Sequence, residues 1–172
     1  FLKKIVFEAA SRNQSSFTRE ILQGRKDEYK IMGYEHKGIF TRIDSVQSYY
    51  NANQMLLETE KRNALFVKNM PIYTKIGDNG PVKYGLDSSI KNSLIADGCV
   101  IEGTVENSIL FRGVKVGKGT VVKNCVLLQG TKVGSNCSIS YVITDKNVEV
   151  SNDKVLTGSE TYPLYIGKEG KI

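Results

Sequence analysis

The stretch NSLIADG at residues 92–98 returns three times, as NSILFRG at 107–113, NCVLLQG at 124–130 and, in weaker form, SYVITDK at 140–146. The starts of the four segments lie 15, 17 and 16 residues apart. A repeat this short cannot hold a pair of helices, whereas it matches the length of one coil of a β-solenoid. The repeat therefore predicts a parallel β-helix, with an ordinary β-sandwich as the alternative.

Pairs of small or aliphatic residues two positions apart support the solenoid. Residues two apart lie on the same face of a strand, so each pair is predicted to point inward. From Val116 to Ile139 the second members follow one another every 5 or 6 residues, which is the spacing of a hexapeptide repeat with about three strands per coil. The predicted inward pairs are Cys99 and Ile101, Val114 and Val116, Thr120 and Val122, Val126 and Leu128, Thr131 and Val133, and Cys137 and Ile139.

Glycine and asparagine mark the steps between the predicted strands. Asn92, Asn107 and Asn124 recur in one column, and asparagine tolerates the left-handed region better than most residues. Positive φ has little cost for glycine. We therefore expect structural turns at Gly98, Gly113, Gly117, Gly119, Gly130 and Gly134.

Composition excludes several classes of protein. The net charge of +6 is spread over both halves of the 172 residues, so nucleic acid is not an expected partner. No run approaches the roughly 18 apolar residues that span a bilayer, and the charged start does not resemble a signal peptide. The chain lacks an initial Met, so we expect a piece of a longer, cytoplasmic protein. Cys99, Cys125 and Cys137 have no metal-ligand spacing and are predicted to be reduced, buried thiols.

A local excess of positive charge lies inside the repeats. Between Asn107 and Thr144 there are five basic residues and no acidic one. Such a run is either a solvated face or a pocket for a small phosphorylated effector. The residues are Arg112, Lys115, Lys118, Lys123 and Lys132, and we take the first four as candidate anion ligands.

Residues 1–70 show no repeat and predict a small α+β domain. Its predicted elements are a short helix containing Leu2 to Ala9, a second helix over 17–23 capped by Ser16, a hairpin of strands 29–35 and 39–43, and a helix over 46–59 capped by Asp44 or Ser45. Pro71 and the turn GDNGP at 77–81 mark a linker over residues 71–88. Residues 89–172 then form the β-helix domain.

Four stretches carry a resemblance to a known family: GIFTRIDSV at 38–46, ANQMLL at 52–57, PIYT at 71–74 and NSILFRGVKVG at 107–117. In this order they resemble the carboxy-terminal part of bacterial glucose-1-phosphate adenylyltransferase (ADP-glucose pyrophosphorylase), and most of all its divergent D-type second subunit. The resemblance implies a left-handed β-helix after the remnant of a Rossmann-like nucleotidyltransferase domain. It also implies the family reaction, in which ATP and glucose 1-phosphate give ADP-glucose and diphosphate with Mg²⁺.

The resemblance also implies a degenerate catalytic site. The family's catalytic subunits have the pattern G-Y-W-x-D-V-G-T, in which the aspartate holds the metal, and here Arg42 takes the place of that aspartate. A guanidinium cannot coordinate a cation. We therefore expect no catalytic residue and no cofactor in this chain, and a role in subunit assembly and allosteric regulation. The implied partners are a second copy or a catalytic adenylyltransferase subunit, with a phosphorylated sugar as the effector.

Two alternatives remain. Asp44, two positions from Arg42 on the same predicted strand face, could serve as the metal ligand in an active full-length parent. Many hexapeptide solenoids are acyltransferases with a histidine base, but the single histidine here, His36, lies in the predicted hairpin turn outside the repeats.

Overall fold

The computed structural model describes residues 1–74 and 76–172 and divides them into two compact units. The first unit is Phe1–Lys37 and the second is Gly38–Ile172. The segment predicted as a linker, residues 71–88, therefore lies within the second unit instead of separating two domains. Its residue Lys75 lies outside the described residues.

The first unit is built around two helices. These are α1 (Leu2–Ser11) and a π-helix (Phe17–Gln23), and the latter has the predicted bounds. The Ser16 hydroxyl oxygen caps the π-helix by accepting a hydrogen bond of 3.2 Å from the Arg19 amide. The small core of this unit consists of Ile5, Ala9 and Ile21, with Tyr29 packed against them.

Residues 29–35 and 39–43 form no strands, so the predicted hairpin is wrong. Large apolar side chains of these segments are exposed: Met32 by 77%, Tyr34 by 91% and Phe40 by 81%. A two-stranded hairpin is marginally stable unless a third strand or a helix covers one face. The exposure of these side chains indicates that the described residues supply no such cover, and the alternating pattern does not produce strands.

The helix predicted over residues 46–59 instead ends at Gln54 and is followed by a 3₁₀ turn and a second short α-helix. Glu58 has a ψ of 118°, which is extended and ends the helical stretch before residue 59. The helical segments here are α2 (Val46–Gln54), a 3₁₀ turn (Met55–Leu57) and α3 (Thr59–Leu65).

The described residues contain fifteen short strands, each parallel to its neighbours in a sheet. The first seven are β1 (Lys83–Tyr84), β2 (Ser89–Lys91), β3 (Leu94–Ile95), β4 (Val100–Ile101), β5 (Thr104–Glu106), β6 (Ile109–Leu110) and β7 (Lys115–Val116). The others are β8 (Val121–Lys123), β9 (Val126–Leu127), β10 (Lys132–Val133), β11 (Ser138–Ser140), β12 (Val142–Thr144), β13 (Glu149–Val150), β14 (Val155–Thr157) and β15 (Leu164–Ile166).

Every third strand joins the same sheet, which makes the second unit a three-sided parallel β-helix. Sheet A has the order β1-β4-β7-β10-β13, sheet B contains β2, β5, β8, β11 and β14, and sheet C contains β3, β6, β9, β12 and β15. Because β1 pairs with β4, the solenoid already begins at Lys83, inside the predicted linker. Each coil then contributes one strand to each face.

The interior of the prism is lined as predicted on two faces and differs on the third. Val126 and Leu128 are not the inward pair: Cys125 and Leu127 belong to the core, whereas Val126 and Leu128 pack with residues of α2. Residues 125–128 are all apolar, so alternation alone does not determine which pair points inward. The other five predicted pairs, Cys99 and Ile101, Val114 and Val116, Thr120 and Val122, Thr131 and Val133, and Cys137 and Ile139, are all buried.

The asparagine column continues with a tyrosine. Asn92, Asn107 and Asn124 have φ values of 43°, 45° and 52°, and Tyr141 has 53°. Ser140, predicted as the fourth start, instead pairs with Lys123 within sheet B. A side chain larger than glycine has a cost of roughly 1–2 kcal/mol in the left-handed region. Tyr141 therefore holds a conformation that asparagine adopts more readily.

The six predicted glycine turns fall into two groups. Gly117 and Gly134 precede turns but do not have positive φ, so the expected reason for them is wrong. A Cβ at Gly134 would clash with the Asn152 Oδ1, and a Cβ at Gly117 would lie 2.7 Å from the Gly134 carbonyl carbon. These two glycines are needed for the close approach of stacked coils. Positive φ is found at Gly98, Gly113, Gly119 and Gly130.

One corner of the prism is shorter than the others. Four residues usually connect a strand of sheet A to the next strand of sheet B, but only Glu102 and Gly103 connect β4 to β5. This explains why the first two asparagine segments are 15 and not 17 residues apart. A recess of about 420 Å³ lies at this corner, lined in part by Asp87, Glu102 and Lys118.

Candidate functional site

Helix α2 is fixed on the outer surface of sheet C. Its N-terminus is closed by a capping box, in which Ser45 and Ser48 each accept a hydrogen bond from the backbone of the other. Tyr50 is 4% exposed and packs with Val126 and Ile143. The Gln47 Nε2 donates a hydrogen bond of 2.8 Å to the carbonyl oxygen of Glu160. The helix that precedes the solenoid is therefore attached to it at two places.

Arg42 and Asp44, which the family resemblance predicts as a degenerate site, form an ion pair. The Arg42 Nε lies 3.1 Å from the Asp44 Oδ2, and the two side chains are 79% and 55% exposed. The other carboxylate oxygen, Oδ1, accepts a hydrogen bond of 3.3 Å from the Ser48 hydroxyl. Both oxygens of Asp44 thus have partners within the chain, one of them a cation.

These residues do not fit a Mg²⁺ site. Mg²⁺ requires oxygen ligands in near-octahedral geometry, and a guanidinium 3.1 Å from the Asp44 carboxylate opposes a second cation. Throughout residues 1–74 and 76–172, no group of three or more His, Cys, Asp or Glu side chains is arranged to hold a metal. We derive no chemical step through Mg²⁺ at Arg42 and Asp44.

Two of the four candidate anion ligands are occupied by carboxylates. The Arg112 Nε lies 3.0 Å from the Asp97 Oδ1, and the Lys123 Nζ lies 3.1 Å from the Glu106 Oε2. The sequence could not show these pairs because the acidic partners precede the basic run by one coil. Register along the sheets brings them together, since Glu106 and Lys123 are aligned neighbours in β5 and β8.

The other two candidates lie on different parts of the prism. Lys115 belongs to sheet A, where it is aligned with Lys132, and Lys132 itself pairs with Glu149 at 2.6 Å. Lys118 lies at the corner between sheets A and B and lines the recess beside Glu102. The four predicted ligands therefore do not form one cluster, and only Lys115 and Lys118 are without an ion-pair partner among the described residues.

Asp97 joins the start of the solenoid to the segment before it. The Asn79 Nδ2 donates a hydrogen bond of 2.8 Å to the Asp97 Oδ2, while Arg112 binds the other carboxylate oxygen. Next to this pair, the Gly98 amide donates a hydrogen bond of 2.7 Å to the Gly80 carbonyl. The Asn79 amide and then the Arg112 guanidinium hold the pKa of the Asp97 carboxyl below its usual range. Asn79, Asp97 and Arg112 thus form a clamp, and sequence analysis identified only Arg112.

A second cavity lies between α2 and the corner that connects sheets B and C. It has a volume of about 340 Å³. One wall comes from Tyr50, Asn51 and Gln54 of α2, and the other from Asn124 and Tyr141 of the solenoid. Nothing in the sequence alone predicts this cleft, because the packing of α2 on sheet C creates it.

No helix in the described parts of the chain combines the length and the apolar character that crossing a bilayer requires.

Comparisons with known proteins agree with this architecture. Residues 82–161 match a family model described as a GlmU-like, C-terminal hexapeptide. This range covers β1 to β14, and the solenoid is a hexapeptide-repeat left-handed β-helix. The handedness that the family resemblance implied is therefore confirmed.

One relative matches nearly the whole chain, and others match smaller parts of it. The chain is 42% identical over 167 residues to glycogen biosynthesis protein GlgD of Bacillus subtilis (strain 168), which is 97% of this chain and 48% of that protein. It is 34% identical over 124 residues to a glucose-1-phosphate adenylyltransferase of Fusobacterium nucleatum, which is 70% of this chain and 32% of that protein. A GlgD of Geobacillus stearothermophilus is 42% identical over 116 residues, which is 54% of this chain and 34% of that protein. The chain spans about half the length, or less, of the relatives it matches.

Proposed function

The chain belongs to the family of GlgD and the bacterial glucose-1-phosphate adenylyltransferases, and from this we propose that it is the carboxy-terminal part of a GlgD-type subunit of glycogen biosynthesis. In this proposal the subunit assembles with a catalytic adenylyltransferase subunit and regulates it, in the cytoplasm. The reaction of ATP with glucose 1-phosphate, together with its Mg²⁺, belongs to the catalytic partner.

The ion pair between Arg42 and Asp44 carries this proposal. Arg42 stands where the catalytic family pattern has its metal-binding aspartate, and its guanidinium lies 3.1 Å from the Asp44 carboxylate. Asp44 is the residue that could have replaced that aspartate, yet its charge is already compensated by Arg42. A divalent cation at this place would have to displace the arginine, and two like charges within a few ångströms repel each other. This favours regulation over catalysis.

Sheet edges at the end of the solenoid support assembly. β14 and β15 are the last strands of sheets B and C, so each is paired on one side only. Val155 of β14 is 72% exposed. Unpaired strand edges with apolar side chains favour association with another chain. The edge of β13 is partly covered, because its residue Glu149 forms a parallel β-bridge with Lys171 of the carboxy-terminal segment.

Regulation by an anionic sugar phosphate remains part of the proposal, with Lys115 on sheet A and Lys118 at the neighbouring corner as two separate candidate contacts. Neither lysine forms an ion pair with a carboxylate of the described residues, although Asp87 and Glu102 line the recess beside Lys118. An effector bound there would act if it favoured one arrangement of subunits over another. Lys115→Ala with Lys118→Ala should then weaken the effector response at unchanged stability, and an unchanged response would contradict the site.

The test of the main proposal is ADP-glucose formation by the full-length parent protein. It is measured for the parent alone, for the catalytic subunit alone and for the mixture. We expect no turnover above background from the parent alone, and a changed rate or effector response in the mixture. Turnover by the parent alone at the rate of the catalytic subunit would contradict the regulatory role and support the alternative of an active parent.

A further inference from the structure

The cleft between α2 and the corner of sheets B and C has the chemistry of a ligand site. Its volume of about 340 Å³ falls in the range of small-molecule sites, roughly 300–1,000 Å³. Arg42 and Asp44 precede the N-terminus of α2, and neither residue lines the cleft. It is also separate from the recess that Lys118 lines.

Tyr141 is the unusual residue of this cleft. It occupies the column of Asn92, Asn107 and Asn124, yet it is an aromatic residue with a φ of 53°. Packing stabilises this conformation, since its ring centroid lies 6.4 Å from that of Tyr50 at an interplanar angle of 53°. Strained backbone of this kind is concentrated at functional sites. The result here is an aromatic ring in the wall of a cleft, where asparagine would leave an open space.

Three amide side chains offer hydrogen bonds to the cleft. The Gln54 Nε2 is shielded from solvent and has no acceptor among the described residues. The Asn51 Oδ1 accepts a hydrogen bond of 2.8 Å from Gln47, so its own amide nitrogen is left as a donor. Asn92 and Asn107 bind each other at 2.8 Å, whereas the Asn124 side chain shows no such bond within the described part of the chain.

The charges around the cleft disfavour an anionic ligand. The Lys61 Nζ is paired with the Glu58 Oε1 at 2.8 Å, which compensates both charges. Glu160, the third charged residue of the lining, has no such counter-ion and leaves the cleft slightly negative. A phosphate group would be repelled by this carboxylate, whereas a hydroxyl group could donate to it. The ligand that fits has several hydroxyl groups and no negative charge.

We propose that this cleft binds a neutral saccharide, with a pyranose ring against the Tyr141 ring. The hydroxyl groups accept from the amide nitrogens of Asn51, Gln54 and Asn124 and donate to the Glu160 carboxylate. A hydroxyl is both donor and acceptor, so it satisfies both kinds of group at once. The site requires neither nucleotide transfer nor an adenylyltransferase partner, so it stands or fails apart from the proposed function.

The experiment titrates the full-length parent protein with maltotriose as the probe and follows binding by calorimetry and by chemical shifts of backbone amides. We expect saturable binding, with shifts confined to α2 and to residues around Asn124 and Tyr141. Glucose 1-phosphate should bind at least about tenfold more weakly than glucose because of Glu160. Absence of saturable maltotriose binding, or shifts elsewhere in the chain, would overturn the proposal.

Two variants test the assigned contacts. Tyr141→Asn removes the ring and restores the residue of the column, so the turn is retained. Gln54→Leu removes the shielded donor at similar volume and gives a second test if the first variant is unstable. Each should weaken maltotriose binding about tenfold, as expected for loss of one ring contact or hydrogen bond. The matched control, Asn107→Gly, changes the same column outside the cleft and should bind as the parent does. If Tyr141→Asn and Gln54→Leu both bound maltotriose as tightly as the Asn107→Gly control, the site would be overturned.

Discussion

The Tyr50 hydroxyl donates a hydrogen bond of 2.9 Å to the carbonyl oxygen of Asn124, 74 positions further along the chain. The ring of the same tyrosine is buried between α2 and sheet C. Burial raises the pKa of the Tyr50 hydroxyl above its ordinary value, so the group remains a donor at every physiological pH. This one side chain therefore joins the helix to the solenoid both by apolar contact and by a directed bond.

Replacement of Tyr50 tests that connection. Tyr50→Phe leaves the Asn124 carbonyl without its donor and should lower the free energy of unfolding by about 1–2 kcal/mol. Tyr50→Ala also removes the buried ring, and the loss should reach about 3–5 kcal/mol. Urea denaturation followed by circular dichroism measures both. Tyr73→Phe, at a tyrosine that is 92% exposed, is the control and should have no effect. An unchanged stability of Tyr50→Phe would contradict a contribution from the bond.

Neighbouring leucines of sheet C test which residues point inward. Leu127 is fully buried in the prism, whereas Leu128 is partly exposed and packs with residues of α2. Leu127→Ala should therefore lower the free energy of unfolding by about 2–5 kcal/mol, and Leu128→Ala by roughly half of that or less. Denaturant titrations of the two variants give the comparison directly. A larger loss for Leu128→Ala would show that the inward and outward residues are exchanged.

Asp97 should control the attachment of residues 77–80. Asp97→Ala removes the acceptor of Asn79 and of Arg112, so we expect faster hydrogen exchange at the Gly98 amide and easier proteolysis near Gly80. Since the pKa of Asp97 is lowered in the fold, its stabilising effect is present above the ordinary carboxyl pKa of about 3.9 and is lost as the pH falls through the lower value. Glu149→Ala removes a comparable ion pair with Lys132 at the other end of the solenoid. If that control loosened residues 77–80 equally, the clamp would not be specific.

The buried thiol of Cys125 should lower the free energy of unfolding at alkaline pH. Burial raises the pKa of its thiol to about 12, from an ordinary value near 9. The protonated thiol stabilises the fold fully below pH 9, and this contribution is lost progressively as the pH rises from 9 towards 12. At pH 10.5 the loss relative to pH 8 should be about 2 kcal/mol, from 1.36 kcal/mol per pH unit. Cys125→Val keeps an apolar residue in the column of Val142 and should remove this part of the pH dependence. Identical pH profiles for the two proteins would contradict the assignment.

The solenoid could be predicted because its determinants repeat. Where one coil departs from the repeat, the equivalent positions of the neighbouring coils still show the pattern. The inward positions of Val116, Val133 and Val122 can therefore be recognised even where single segments have diverged. The exception at Val126 and Leu128 has a physical reason. Sheet C is apolar on both sides because α2 covers its outer surface, and a strand buried on both faces loses its alternation.

The remainder could not be predicted because it depends on contacts between distant parts of the chain. The hairpin over residues 29–43 matches the pattern of strands, but local pattern does not supply the covering surface that strands need. The acidic partners of Arg112 and Lys123 lie one coil earlier, and only the register of the sheets reveals them. The same holds for Tyr141, whose ring belongs to a cleft that exists only after α2 has packed on the solenoid.

The two-residue connection at Glu102 and Gly103 suggests where this scaffold could be extended by engineering. The neighbouring coils use four residues at the same corner, and the stacked strands on either side keep their register despite the difference. Changes of length are therefore absorbed outside the ladder of parallel strands. A peptide tag or an affinity loop grafted at this point would project from the prism edge, and the columns of the interior would keep their alignment.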